Sequence, residues 1–145
     1  MNKGIFAGRL LLCIAAFTAT ITAIAHLSCI FLGPQCYAVQ MAPEVIVESA
    51  QNGTILAPLG TVVVSAIFIA MGCYALSAAN IIRKLPWLKP VVYTLAILCI
   101  IRGILPLQLW FRHADKVSEP VLYVGIVWLL VGLCYLLGFR YCNKS

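Results

Sequence analysis

Carboxylates are scarce in this chain: Glu44, Glu48, Asp115 and Glu119 are the four acids among 145 residues. Charged residues of both signs make up only 10% of the sequence, whereas 63% is hydrophobic. A soluble domain sits at roughly 45–50% apolar and needs polar side chains to cover its surface, so an ordinary water-exposed globule is excluded. None of the four acids falls inside a long apolar stretch, which leaves an intramembrane proton relay without a carboxylate to run on. Cysteine is not scarce, yet no Cys-x-x-Cys or His-x-x-x-His spacing occurs. The common zinc sites are thereby excluded. A heme held between helices needs facing histidines, and only His26 lies in an apolar run, since His113 follows Trp110 and Phe111. No metal and no cofactor are expected. Internal repeats of the kind that build inverted-repeat transporters are missing. So is a polar row along one helix, which a wide aqueous pore needs.

What the chain has instead is length without charge. Leu10 to Pro43, Ser49 to Ile82 and Pro120 to Phe139 carry no charged residue, and Pro90 to Trp110 is broken only by Arg102. A bilayer-spanning helix needs about 20 apolar residues, and each of these runs is long enough. Mean hydropathy is +1.05. The expected fold is all-α, an integral membrane four-helix bundle forming one transmembrane domain over residues 1–145. The spans are placed at about 5–32, 55–79, 90–110 and 120–140. Outer loops then cover 33–54 and 111–119, and a cytoplasmic link covers 80–89.

The net charge of +6 raises nucleic acid as a partner, but the basic residues are not arranged as a stripe with interleaved aromatics. Lys3 and Arg9, then Arg83, Lys84 and Lys89, then Arg140 and Lys144 occupy the N-terminus, the 80–89 link and the C-terminus. With an even number of spans these lie on one side. All four acids lie on the other, together with the bases Arg112 and Lys116. This positive-inside pattern predicts that both termini are cytoplasmic. Met1 to Arg9 with Leu10 to Ile24 also has the layout of a secretory signal, with Ala23-Ile24-Ala25 as a cleavage site. Apolar character continues through Leu27 to Leu32, which favours an uncleaved first span.

Punctuation residues set the boundaries. Gly33-Pro34 ends the first span. Ala42-Pro43-Glu44 has the form of a helix start, and Glu44 and Glu48, four apart, share a face. A short amphipathic helix on the outer membrane surface is expected there, closed by a turn at Gln51-Asn52-Gly53. Asn52-Gly53-Thr54 matches a glycosylation sequon, but the turn reading suffices for it. Trp87 and Trp110 suit the two headgroup levels. Small residues at Ala15, Ala19 and Ala23, and at Ala66, Ala70, Cys73 and Ser77, predict close packing of spans one and two, with a subunit interface as the alternative.

Arg102 is the most informative single residue. An intramembrane guanidinium costs about 3 kcal/mol on insertion scales; it snorkels to the headgroups, holds an anionic ligand, a lipid phosphate or a partner's carboxylate, or pairs with Glu44 or Glu48. Pro106, four residues on, removes the N–H that the Arg102 carbonyl would accept, and Gly103 adds freedom. A helix kink is expected at Gly103 and Pro106. His26, Arg102, Gln108 and the loop acids Glu44 and Glu48 form a candidate ligand or partner site. His26 can also be satisfied within its own helix, by a backbone carbonyl or by Thr22. Cys13, Cys73, Cys99 and Cys134 fall in spans as small packing residues, and Cys142 is cytoplasmic. Cys29 and Cys36 flank Gly33-Pro34 on the oxidising side. They admit three states: a structural disulfide, free thiols or a catalytic dithiol.

In size and span count the chain is similar to the four-helix thiol oxidoreductases of the disulfide-bond B and vitamin K epoxide reductase types, but it lacks their Cys-x-x-Cys pair. Tyr74-Ala75-Leu76-Ser77-Ala78-Ala79, Ile82-Arg83-Lys84-Leu85-Pro86 and Ile101-Arg102-Gly103 resemble uncharacterised bacterial four-helix inner-membrane proteins. That resemblance implies a bacterial inner membrane and brings no activity. The function expected is a small non-enzymatic subunit that lies in the bilayer and binds a membrane-protein partner or itself. Two alternatives are a homo-oligomeric channel or transporter with Arg102 near an outer mouth, and a quinone-linked thiol oxidoreductase using Cys29 and Cys36.

Overall fold

The computed structural model describes residues 3–113, 115 and 117–143; Lys116 and Lys144 lie outside them. The described residues are helical, without strands. Helix α1 runs Lys3–Leu32, α2 Pro34–Val39, α3 Glu44–Gln51, α4 Leu56–Ala78, α5 Leu88–Arg112 and α6 Glu119–Asn143. Helices α1, α4, α5 and α6 are each long and apolar enough to cross a membrane. Gly33 breaks the first of them: its φ of +85° is a left-handed conformation that glycine adopts without strain. Pro34 then opens α2, where its missing N–H costs nothing. The segment 33–54, expected as a loop carrying one short helix, therefore carries two. The 111–119 loop is shorter than expected, because α5 continues to Arg112 and α6 begins at Glu119.

The chain divides into two compact units, one made of residues up to Phe17 together with Cys73 onward, the other of Thr18–Gly72. In the first unit α5 and α6 pack as an antiparallel pair through glycine. A Cβ on Gly132 would meet the Ala96 carbonyl oxygen and the Ile100 nitrogen at 2.9 Å, and one on Gly103 would meet the Gly125 carbonyl at 2.7 Å. The backbones touch because no side chain stands between them, the close approach that holds helices together where lipid supplies no hydrophobic drive. Gly8 of α1 meets Gly138 of α6 in the same manner. Fully buried Tyr135 and the edge-to-face pair Tyr93–Phe139 fill the space beside these contacts.

The link from α4 to α5 is tied by side chains rather than left as a bare turn. Ser77 Oγ accepts the Leu85 N–H at 2.9 Å and donates to the Arg83 carbonyl at 3.0 Å. The Tyr74 hydroxyl donates to the Pro86 carbonyl at 3.1 Å.

In the second unit Ala19 and Ala23 of α1 are buried, as is the α4 row Ala57, Thr61 and Ser65. Ser65 Oγ donates to the Ala23 carbonyl at 3.2 Å. This corrects the α4 packing stripe expected at Ala66, Ala70, Cys73 and Ser77. Ala66 and Ala70 are exposed, and Ser77 holds the link to α5. The buried row is offset by one residue, which on a helix is a rotation of about 100°, because hydroxyls that find carbonyls pack as closely as alanine.

Candidate functional site

Two places hold the polar residues singled out in the sequence. The first is on α5. Gly103 is buried against α6, and that fixes the rotation of the helix. Arg102, one residue back, turns to the exposed face. Leu98, Arg102, Leu105, Leu109 and Arg112 follow at helical spacing and form one stripe. With Gln108 beside them they line an open groove of about 740 Å³. Val121 of α6 lines it from the neighbouring helix. Pro106 sits inside α5 and lines the same groove, so the Arg102 carbonyl lacks its usual donor within the helix. The groove thus combines two guanidiniums and a carboxamide with walls of leucine.

The second place is a cap built from α2, α3 and the adjoining ends of α1 and α4. Cys29 and Cys36 are joined by a disulfide across the Gly33 break, with their Cα atoms 5.1 Å apart. Cys29 is 1% exposed and packs with Tyr37 and Ala57, under Ile46, Val47 and Ala50 of α3. The Tyr37 hydroxyl and Thr61 Oγ1 share a hydrogen bond of 3.2 Å. Ser49 Oγ accepts the Ala57 N–H at 2.9 Å and pairs with the Thr54 hydroxyl. Ala57 is in the first turn of α4, whose leading N–H groups have no partner inside the helix. Ser49 therefore caps α4 from another helix. Gln40 Nε2 donates to the Ala25 carbonyl at 2.7 Å. On the outside of this cap Glu44, Glu48, Val39 and Val45 are exposed.

The five residues expected as one polar site divide between these units. Arg102 and Gln108 line the same groove in the first. His26, Glu44 and Glu48 belong to the second. There His26 is half-buried and stacks on Phe68, with ring centroids 5.4 Å apart and planes 13° from parallel. Thr22, named as its neighbour, donates its hydroxyl to the Thr18 carbonyl at 2.8 Å. Arg112, Tyr37, Ser49 and Thr61 were not singled out from sequence. Thr61 and Ser65, four apart in an otherwise apolar run, are the signal that was there to find. Among the described residues no group of three or more His, Cys, Asp or Glu side chains is placed to hold a metal ion.

No known protein family, curated protein or solved structure matches this chain.

Proposed function

We propose that this protein is a non-enzymatic subunit of a membrane complex, and that it meets its partner through the exposed face of the α2–α3 cap. The observation that carries this reading is the way the cap is fixed. A disulfide, the Tyr37–Thr61 hydrogen bond and the Ser49 cap on α4 hold a short polar segment rigid. That rigidity presents exposed Glu44, Val45 and Glu48 on α3 and exposed Val39 on α2. A partner that docks on a preorganised surface does not have to order it first, which lowers the entropic cost of binding. Acidic residues with adjacent valines fit a protein surface carrying basic residues around an apolar centre.

In the same reading the cap faces away from the cytoplasm, and both termini lie in the cytoplasm of a bacterial cell, with the bundle in its inner membrane. The distribution of Arg and Lys supports that orientation. So does a disulfide on the acidic side, since such bonds persist in oxidising compartments. Burial of Cys29 beneath Tyr37 and Ala57 favours a structural bond over a dithiol that cycles with quinone.

The test is native mass spectrometry after gentle extraction with thiols blocked, on the wild type and on Glu44→Lys with Glu48→Lys. The expected result is a stable complex with another membrane chain that the charge-reversed variant loses. A complex that survives charge reversal sinks the assignment of this face. A symmetric homo-oligomer instead moves the channel reading forward.

A further inference from the structure

The α5 groove carries an inference independent of the cap. Along the helix axis Arg102 and Arg112 are ten residues apart, about 15 Å, a gap that two extended arginine side chains can close on one shared group. Gln108 lies four residues before Arg112 and adds a neutral donor to the same stretch. Among the described residues neither arginine forms an ion pair, and no acid lines the groove. The walls below and between the cations are Leu98, Leu105 and Leu109.

Snorkelling alone serves Arg102 poorly. Arg102 lies about 15 Å along the axis from Arg112, where α5 ends, farther than its own side chain spans, and side chains leave a helix tilted toward its N-terminus. Arg112, at that end, sets out toward the groove. A diffuse headgroup layer meets Arg112 but not both. A single anion drawn into the groove meets both, and long apolar walls require that the anion carry chains. A soluble phosphate has none. A phospholipid has an anionic phosphate, ester carbonyls for Gln108 and acyl chains for the leucines.

We propose that the α5 groove binds an anionic phospholipid of the leaflet at the C-terminal end of α5, with its phosphate between Arg102 and Arg112 and its acyl chains along Leu98 and Leu105.

The experiment is native mass spectrometry of the full chain released from nanodiscs of equal parts phosphatidylglycerol and phosphatidylcholine. The wild type is expected to retain phosphatidylglycerol selectively. Arg102→Gln should weaken that retention about tenfold, the loss of one charge-assisted hydrogen-bonding group. Arg112→Gln, at the helix end where folding is least at risk, should weaken it comparably. Arg102→Lys should keep most of it, and Arg140→Gln, at the far end of α6, should change nothing. Equal retention of the two lipids overturns the proposal, as does wild-type retention in both glutamine variants. Displacement of the lipid by millimolar inorganic phosphate overturns the lipid assignment in favour of a free-anion site. Quantitative dimer cross-linking through Leu105→Cys, with no lipid retained, shows a second copy in the groove and also overturns it.

Discussion

The two units hold themselves together by different means. The α5–α6 pair relies on missing side chains: Gly103, Gly125 and Gly132 let backbone meet backbone. The cap relies on added chemistry, a disulfide and hydroxyls that reach carbonyls, amides and each other. Length explains the difference. Helices α5 and α6 have 25 residues each, enough to repeat a close contact over several turns. Helices α2 and α3 have 6 and 8 residues, too short to be stable by packing alone. Short helices need pins, and long apolar helices need fit.

Substitutions can break each kind of attachment separately. The largest effect is expected from Gly132→Leu. The new side chain meets backbone atoms on α5, which cannot swing aside, and overpacking of this kind costs about 3 kcal/mol. Thermal unfolding in detergent should show a matching loss of stability, with hydrogen exchange rising in α5 and α6 and unchanged in α2 and α3. A uniform rise across all helices would defeat the division into differently held regions.

Next comes removal of the disulfide by Cys29→Ser with Cys36→Ser. For a closed loop with a sequence separation of 7, the chain-entropy account gives about 2.5 kcal/mol. The loss should be confined to the cap and read out as faster amide exchange in α2 and α3. If exchange there stays slow, the noncovalent pins suffice to hold the cap.

Smaller still is Ser49→Ala, which strips the first turn of α4 of its acceptor for the Ala57 N–H. Loss of a helix cap costs about 1 kcal/mol. Thr61→Val, which removes the partner of the Tyr37 hydroxyl, should cost about 0.6 kcal/mol, the average for hydrogen bonds between helices in a membrane. Combined, the two variants measure how strongly the pins depend on one another. A sum larger than the parts would make the cap one cooperative network rather than a set of independent ties.

Particular residues show how far the sequence could be read. The end of α1 followed from the local signal at Gly33-Pro34, and the start of the short α3 from Pro43-Glu44. Arg102 stood out as a lone charge in an apolar run. Arg112 did not, because a basic residue at the end of a span is ordinary, and its role in the groove depends on Arg102 sharing its face. Small size at Ala66 and Ala70 predicts contact, but both residues are exposed. The helix instead turns Thr61 and Ser65 inward, where each hydroxyl has an acceptor waiting.

By itself the sequence determined that four helices are long and apolar enough to cross a bilayer, because the fit of an apolar run to a hydrocarbon thickness is a property of that run alone. It also determined the asymmetric placement of charge. Only the tertiary structure decided which side of each helix faces protein, that Cys29 and Cys36 come within bonding reach, and that Arg102, Gln108 and Arg112 share a groove. Those outcomes depend on how each helix is rotated about its axis. Rotation is set by contacts with other helices, Gly103 against Gly125 in one unit and Ser65 against Ala23 in the other, and no single apolar run contains that information.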